Sequence, residues 1–169
     1  MNSTDPIWDS IQQEARQLAA EEPLLADFFQ RAVLQYNSLE AVVEHVLAET
    51  FDNSSIQTKD IRAVIAQALE SDPTIGKSIR RDIEAAFQRD AACKHYLMPL
   101  IYFKGFQALQ LYRISHWLWR NQRFSFALFM QNNISERFAV DIHPAARLGS
   151  GIMIDHATGL VIGETAVVG

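Results

Sequence analysis

Apolar residues recur at helical spacing through the front of the chain, and near its end the rhythm changes to a period of six. The first segment opens at Asp5-Pro6, an N-cap carboxylate followed by proline at the first helical position, and places Ile7, Ile11 and Leu18 on one face. Pro23 is predicted to open a second helix that turns Leu24, Leu25, Phe28, Phe29 and Ala32 inward. A third is predicted from about Ser38 to Glu49, with Leu39, Val42, Val43, Val46 and Leu47 inward. The turn-forming run Asp52-Asn-Ser-Ser55 should separate it from a fourth, in which Ile61, Val64, Ile65, Ala68 and Leu69 follow the i, i+3, i+4, i+7, i+8 pattern. Asp72-Pro73 repeats the cap-plus-proline signal for a helix reaching about Arg89. Pro99 starts a longer apolar helix through Tyr102, Phe106, Leu109, Tyr112 and Ile114 to Trp119, and a last helix covers roughly Phe124 to Glu136. The pattern therefore predicts seven helices. Several stripes are wide, and Phe124, Phe126 and Phe129 would encircle their helix, which fits either oligomer contacts or one well-packed bundle.

From Val140 onward an apolar residue returns every six positions, at Ile142, Leu148 and Ile154, then at Ile162 and Val168. Small or branched residues stand two places earlier, at Ala146, Ile152, Leu160 and Ala166. Neither a helix nor an ordinary strand has this period, whereas a β-solenoid of hexapeptide turns does. The rhythm skips two residues between Ile154 and Ile162, and the skip falls on His156-Ala-Thr-Gly159. Glycine use divides the chain in the same way: only Gly76 and Gly105 precede residue 149, while five glycines crowd the end. The predicted organisation is an all-helical domain over residues 1–138 and the beginning of a β-solenoid over residues 139–169.

Composition narrows the function. A chain of 169 residues holds one domain of ordinary size, or one domain and part of another. With 49% apolar residues it has enough material for a core. A net charge of −5 and the lack of a basic cluster argue against a nucleic-acid partner, since phosphate binding needs a concentrated Lys/Arg face. The strongest apolar stretch, Phe124 to Met130, is too short to span a bilayer, and the first six residues lack the features of a signal peptide, so no membrane partner is expected. A single cysteine, Cys93, precludes an intrachain disulfide and suits a reducing cytoplasm.

The candidate chemistry lies in the solenoid: Asp141, His143, Asp155 and His156. A solenoid sets residues of successive turns side by side, so Asp141 would approach His156 nearly one coil later. An Asp bonded to one imidazole nitrogen fixes the tautomer and leaves the other nitrogen free to take a proton from a substrate hydroxyl. The same residues also fit an ordinary hydrogen-bonded turn, and spacing alone leaves both readings open. A zinc site using His143 and His156, as in a γ-class carbonic anhydrase, needs a further nitrogen or sulfur ligand that the tail lacks; no metal is expected.

The strings Asp141-Ile-His-Pro-Ala-Ala146, Gly151-Ile-Met-Ile-Asp-His-Ala-Thr-Gly159 and Val161-Ile-Gly-Glu-Thr-Ala166 closely resemble bacterial serine O-acetyltransferases. So do Tyr102-Phe-Lys-Gly-Phe-Gln-Ala-Leu-Gln-Leu-Tyr-Arg-Ile-Ser-His-Trp-Leu-Trp119 and the neighbourhoods of Pro23, Arg89-Asp90 and Tyr96. The resemblance spans essentially the whole chain. It implies a mainly α N-terminal domain followed by the start of a left-handed parallel β-helix. The implied reaction transfers acetyl from acetyl-CoA, a co-substrate rather than a bound cofactor, to the L-serine hydroxyl, giving O-acetyl-L-serine for cysteine biosynthesis. His156 would be the general base, Asp141 its orienting partner, and Asp90 and Asp155 the carboxylates holding the substrate ammonium. The same resemblance implies a homo-oligomer that is a dimer of trimers and feedback inhibition by L-cysteine at the serine site. It also implies O-acetylserine sulfhydrylase as a partner, docked through a tail that these residues do not include.

Members of that family continue through further coils, which carry an arginine, a second histidine and most of the acetyl-CoA groove. A solenoid stub of about one and a half coils is expected to be inactive by itself. The alternative from another class is a non-catalytic oligomerisation module or truncated fragment.

Overall fold

The computed structural model describes residues 5–52 and 55–169. Asp5 accepts a hydrogen bond from the Trp8 amide (3.3 Å) and, with Pro6 at the first position, starts α1 (Pro6–Glu21). Ser38 caps α3 (Leu39–Glu49) through the Ala41 amide, and Asp72 caps α5 (Pro73–Arg89) through the Thr74 amide. Between these lies α4 (Thr58–Ser71), whose Ile61, Ile65, Ala68 and Leu69 are buried. The predicted turn after α3 falls partly on Asn53 and Ser54, which lie outside the described residues.

Two expectations are corrected. The segment after Pro23 is not a uniform helix. It winds from a 3₁₀ turn (Pro23–Leu25) through the short α2 (Ala26–Phe29) into a π turn (Gln30–Leu34). These changes of pitch rotate the face: Phe29 and Ala32 are buried, whereas Leu24 (90% exposed), Leu25 and Phe28 point to solvent.

The expected single helix from Pro99 to Trp119 is two, α6 (Leu97–Tyr102) and α7 (Lys104–Arg120). Phe103 between them is extended (φ −94°, ψ 103°), and the Gln107 side chain donates through Nε2 to the Leu100 and Ile101 carbonyls that the break leaves open. The break redirects the chain so that Gly105, in the first turn of α7, lies against the backbone of Ile154. With α8 (Phe124–Phe138) there are eight α-helices among the described residues, one more than the sequence predicts.

Ala139, in the left-handed conformation (φ 55°), ends α8 and turns the chain into the solenoid. β1 (Val140–Ile142) pairs in parallel with β3 (Leu160–Ile162), in the register Val140↔Leu160. β2 (Arg147–Leu148) pairs in parallel with β4 (Val167–Val168), in the register Arg147↔Val167. Parallel pairing one coil apart is what the six-residue rhythm requires, with the two-residue skip included in the coil.

Val140, Ile142, Ala146 and Ala157 point inward and join the same apolar core as the helices. Polar contacts reinforce the junction. Tyr112 donates its hydroxyl to the Ala146 carbonyl, His116 Nδ1 donates to the Pro144 carbonyl (2.7 Å), and Arg113 Nη2 donates to the Gly149 carbonyl (2.9 Å). The first coil thus rests on α7 and α8. No helix among the described residues is long and apolar enough to cross a membrane.

Candidate active site

The skip in the rhythm forms a loop whose conformation is costly. His156 (φ 51°) and Ala157 (φ 60°) are consecutive left-handed residues, neither of them glycine, a geometry that costs about 1–2 kcal/mol each. Neighbouring contacts hold it. The Ala157 amide donates to the Asp155 carbonyl, the Thr158 amide to the His156 carbonyl (2.8 Å), and the Gly159 amide to the Ala139 carbonyl (2.8 Å). Lys104 Nζ donates to Thr158 Oγ1. Ala157 is buried beside Gly105, while the His156 side chain stands 94% exposed. Burying the alanine therefore projects the histidine.

His156 looks into a cleft of about 340 Å³ between this loop and the helical part. Asp90, the C-cap of α5, forms one wall, together with Met98, Tyr102 and Lys104; Met153, Ile154, Asp155 and His156 form the other. Asp90 is itself fixed by the Ala92 amide, which donates to its Oδ1 (2.8 Å). His156 Nε2 lies 3.6 Å from Asp155 Oδ1, too long for a hydrogen bond and close enough for an ion pair when the imidazole is protonated. Two carboxylates and an imidazole across a half-open cleft can bind a cationic group and accept a proton from a neighbouring hydroxyl.

Three of the four sequence-predicted residues, Asp90, Asp155 and His156, thus share one cleft. Asp141 lies elsewhere. Its neighbours Val140 and Ile142 point into the core, so strand alternation turns Asp141 outward, where it accepts a hydrogen bond from Gln131 of α8 (2.6 Å). No hydrogen bond joins Asp141 to His156 among the described residues. His143, the other histidine of the zinc reading, accepts a bond from the Ala145 amide (3.1 Å) and packs edge-on against Trp119, as a turn residue. No group of three or more His, Cys, Asp or Glu side chains among the described residues is arranged to hold a metal ion.

Lys104 and Gly105 carry no site role in the sequence pattern. A signal was present: Gly105 is one of only two glycines ahead of the solenoid, inside a strongly apolar helical pattern, and such a glycine often marks a close backbone approach.

Comparison with known proteins agrees with this architecture. The family model described as "Serine acetyltransferase, N-terminal" matches residues 7–111. The serine acetyltransferase of Haemophilus influenzae is 46% identical over 162 residues, which are 96% of this chain and 61% of that protein. The chain thus spans about three-fifths of that relative's length. The crystal structure of Neisseria gonorrhoeae serine acetyltransferase in complex with serine superposes with a TM-score of 0.93 at 46% identity, covering 98% of this chain and 68% of that one. A serine acetyltransferase in complex with CoA gives a TM-score of 0.94 at 45% identity, covering 96% and 69%. A complex with cysteine gives 0.94 at 45%, covering 96% and 68%. Helices followed by the start of a left-handed parallel β-helix are the shared fold. With the family model lying across α1 to α7 and the likeness running on through the coil and its skip, this chain belongs to the serine acetyltransferase family.

Proposed function

We propose that the cleft is the serine site of a serine O-acetyltransferase, in which acetyl passes from acetyl-CoA to the L-serine hydroxyl to give O-acetyl-L-serine. The observation that carries this reading is the placement of His156 and Asp155 opposite Asp90 across one cleft. The ammonium of serine is held by Asp90 and Asp155, because charge-assisted hydrogen bonds from an ammonium need anionic acceptors. The His156 imidazole takes the hydroxyl proton as the serine oxygen attacks the thioester carbonyl. The C–S bond then breaks, the acetyl group stays on the serine oxygen, and the CoA sulfur leaves with the proton. On the family resemblance Asp141 would orient the imidazole, a role that requires it to exchange its bond with Gln131 for one to His156.

Related proteins solved with serine, CoA and cysteine support acetyl-CoA as co-substrate and L-cysteine as an inhibitor, since cysteine carries the same ammonium group as serine. Residues 1–138 are assigned to the helical domain and 139–169 to the β-helix. Outward-facing Val161 (72% exposed) and Val167 support packing of solenoids into trimers, and exposed Leu24, Leu25 and Phe28 support contacts between helical domains. A reducing cytoplasm suits the single buried thiol.

The test is thiol release from acetyl-CoA by the gene product that contains these residues, with and without L-serine. His156→Ala is expected to lower the rate about 10²-fold or more. Near-normal turnover would remove His156 as the base, and no serine-dependent release from the unsubstituted protein would favour a purely structural assembly role.

A further inference from the structure

Asp82 of α5 is completely buried (0% exposed) and takes no part in the chemistry above. Its Oδ2 accepts hydrogen bonds from Arg113 Nη2 (2.7 Å), Arg113 Nε (2.9 Å) and Gln110 Nε2 (3.0 Å). Its Oδ1 accepts from two successive backbone amides of the coil, Gly151 (2.8 Å) and Ile152 (2.9 Å). A buried carboxylate is tolerated only when paired and fully hydrogen-bonded, and five converging donors meet that condition. The amide of Gln110 is turned to serve Asp82 even though this leaves its own buried Oε1 without a partner among the described residues. An unsatisfied acceptor kept in this way marks a network arranged around Asp82.

What Asp82 holds is the side of the coil that leads to the cleft, where Ile152 to Ile154 form no strand ladder among the described residues. The same helix grips that segment again two turns later, where Arg89 Nη1 donates to the Gly151 carbonyl (2.8 Å). Gly151, at φ 75°, thus has its N–H held by Asp82 and its C=O by Arg89. Asp90, one wall of the cleft, follows Arg89 directly, and Asp155, on the other wall, follows Ile152 by three residues. Both walls therefore depend on α5.

We infer that Asp82, assisted by Arg89, is a positioning residue that sets the separation between Asp90 and the Asp155–His156 pair. The inference deepens the serine-site reading and rests on it.

The test uses Asp82→Asn and, because a buried substitution can impair folding, the exposed Arg89→Met, both in the gene product that contains these residues. KM for L-serine and for acetyl-CoA are measured separately, well below each variant's melting temperature. Amide hydrogen exchange is followed at residues 151–157. An Asn amide turns donors towards either Arg113 or the coil N–H groups, so Asp82→Asn should raise the serine KM about 10-fold or more. The acetyl-CoA KM should stay within about twofold, and exchange at 151–157 should quicken, since the clamp and not the thioester site is disturbed. Arg89→Met should keep its melting temperature while the serine KM rises about threefold or more.

Unchanged exchange at 151–157 in both variants overturns the clamp. Activity losses that fall equally on both substrates and follow the melting temperature reduce Asp82 to a structural role and overturn the inference. An unsubstituted protein that releases no thiol with serine refutes the acetyltransferase reading instead, and the exchange measurement then decides the clamp independently.

Discussion

Replacing Gly105 by alanine should damage the site from a position that contributes no side chain to the chemistry. In an exposed helix interior the change is favourable by about 1 kcal/mol, because glycine carries the larger conformational entropy cost. Here a Cβ would stand 2.1 Å from the Ile154 carbonyl oxygen and 3.1 Å from the Ala157 Cβ. The oxygen belongs to the backbone and cannot rotate away, so the loop must retreat by roughly 1 Å to restore van der Waals contact. Overpacking of this kind costs about 1–3 kcal/mol, which outweighs the propensity gain and lowers the melting temperature by a few degrees.

The loop that retreats carries Asp155 and His156, whereas Asp90 stays with α5. A misplacement of about 1 Å between reacting groups can cost about 10²-fold in rate. The assay is kcat/KM for L-serine by thiol release, alongside thermal unfolding. Gly76→Ala serves as the control, because its Cβ would meet the Glu40 carboxylate end at 3.0 Å, a flexible side chain that can give way. If Gly105→Ala keeps its activity within about threefold and melts no lower than the parent, close approach at Gly105 does not govern the loop.

Further outcomes follow from the helical part. Asp5→Ala removes the α1 cap and the ion pair with Arg80 (2.6 Å), and should cost about 1–2 kcal/mol in chemical denaturation; a loss below a few tenths would show that the cap is dispensable. Cys93 is 4% exposed, and burial pushes its thiol pKa up, so a disulfide reagent at neutral pH should label it far more slowly than free glutathione; comparable rates would contradict its burial. Burial chiefly pulls the His45 pKa below its ordinary value of 6.5, against the opposing pull of Glu49. The unfolded chain then binds the proton more readily, so stability should fall as pH drops through about 6.5 and level off below the native pKa. His45→Gln should flatten that part of the melting curve against pH, and an unaltered slope would assign the dependence to other groups.

The caps at Asp5, Ser38 and Asp72, the stripes of α1, α3, α4 and α5, and the solenoid with its skip were legible in the sequence. Each is written in residues close along the chain, where periodicity and capping act. The outward Leu24 and Phe28 were not legible, since a change of helical pitch rotates a face without altering the apolar count. Nor was the break at Phe103, which brings Gly105 to a carbonyl far along the chain at Ile154. The cleft divides in the same way. His156 could be singled out because it interrupts a local rhythm, but its meeting with Asp90 depends on α5 and the coil being held together. That hold comes from Asp82 and Arg89 reaching Gly151 and Ile152, and neither residue type nor spacing records such a contact. Local pattern sets which elements form, because hydrogen bonding and burial within an element repeat with its period. The separation across the cleft is set by side chains bonding to backbone remote in sequence, and it exists only once the coil has packed on the helices.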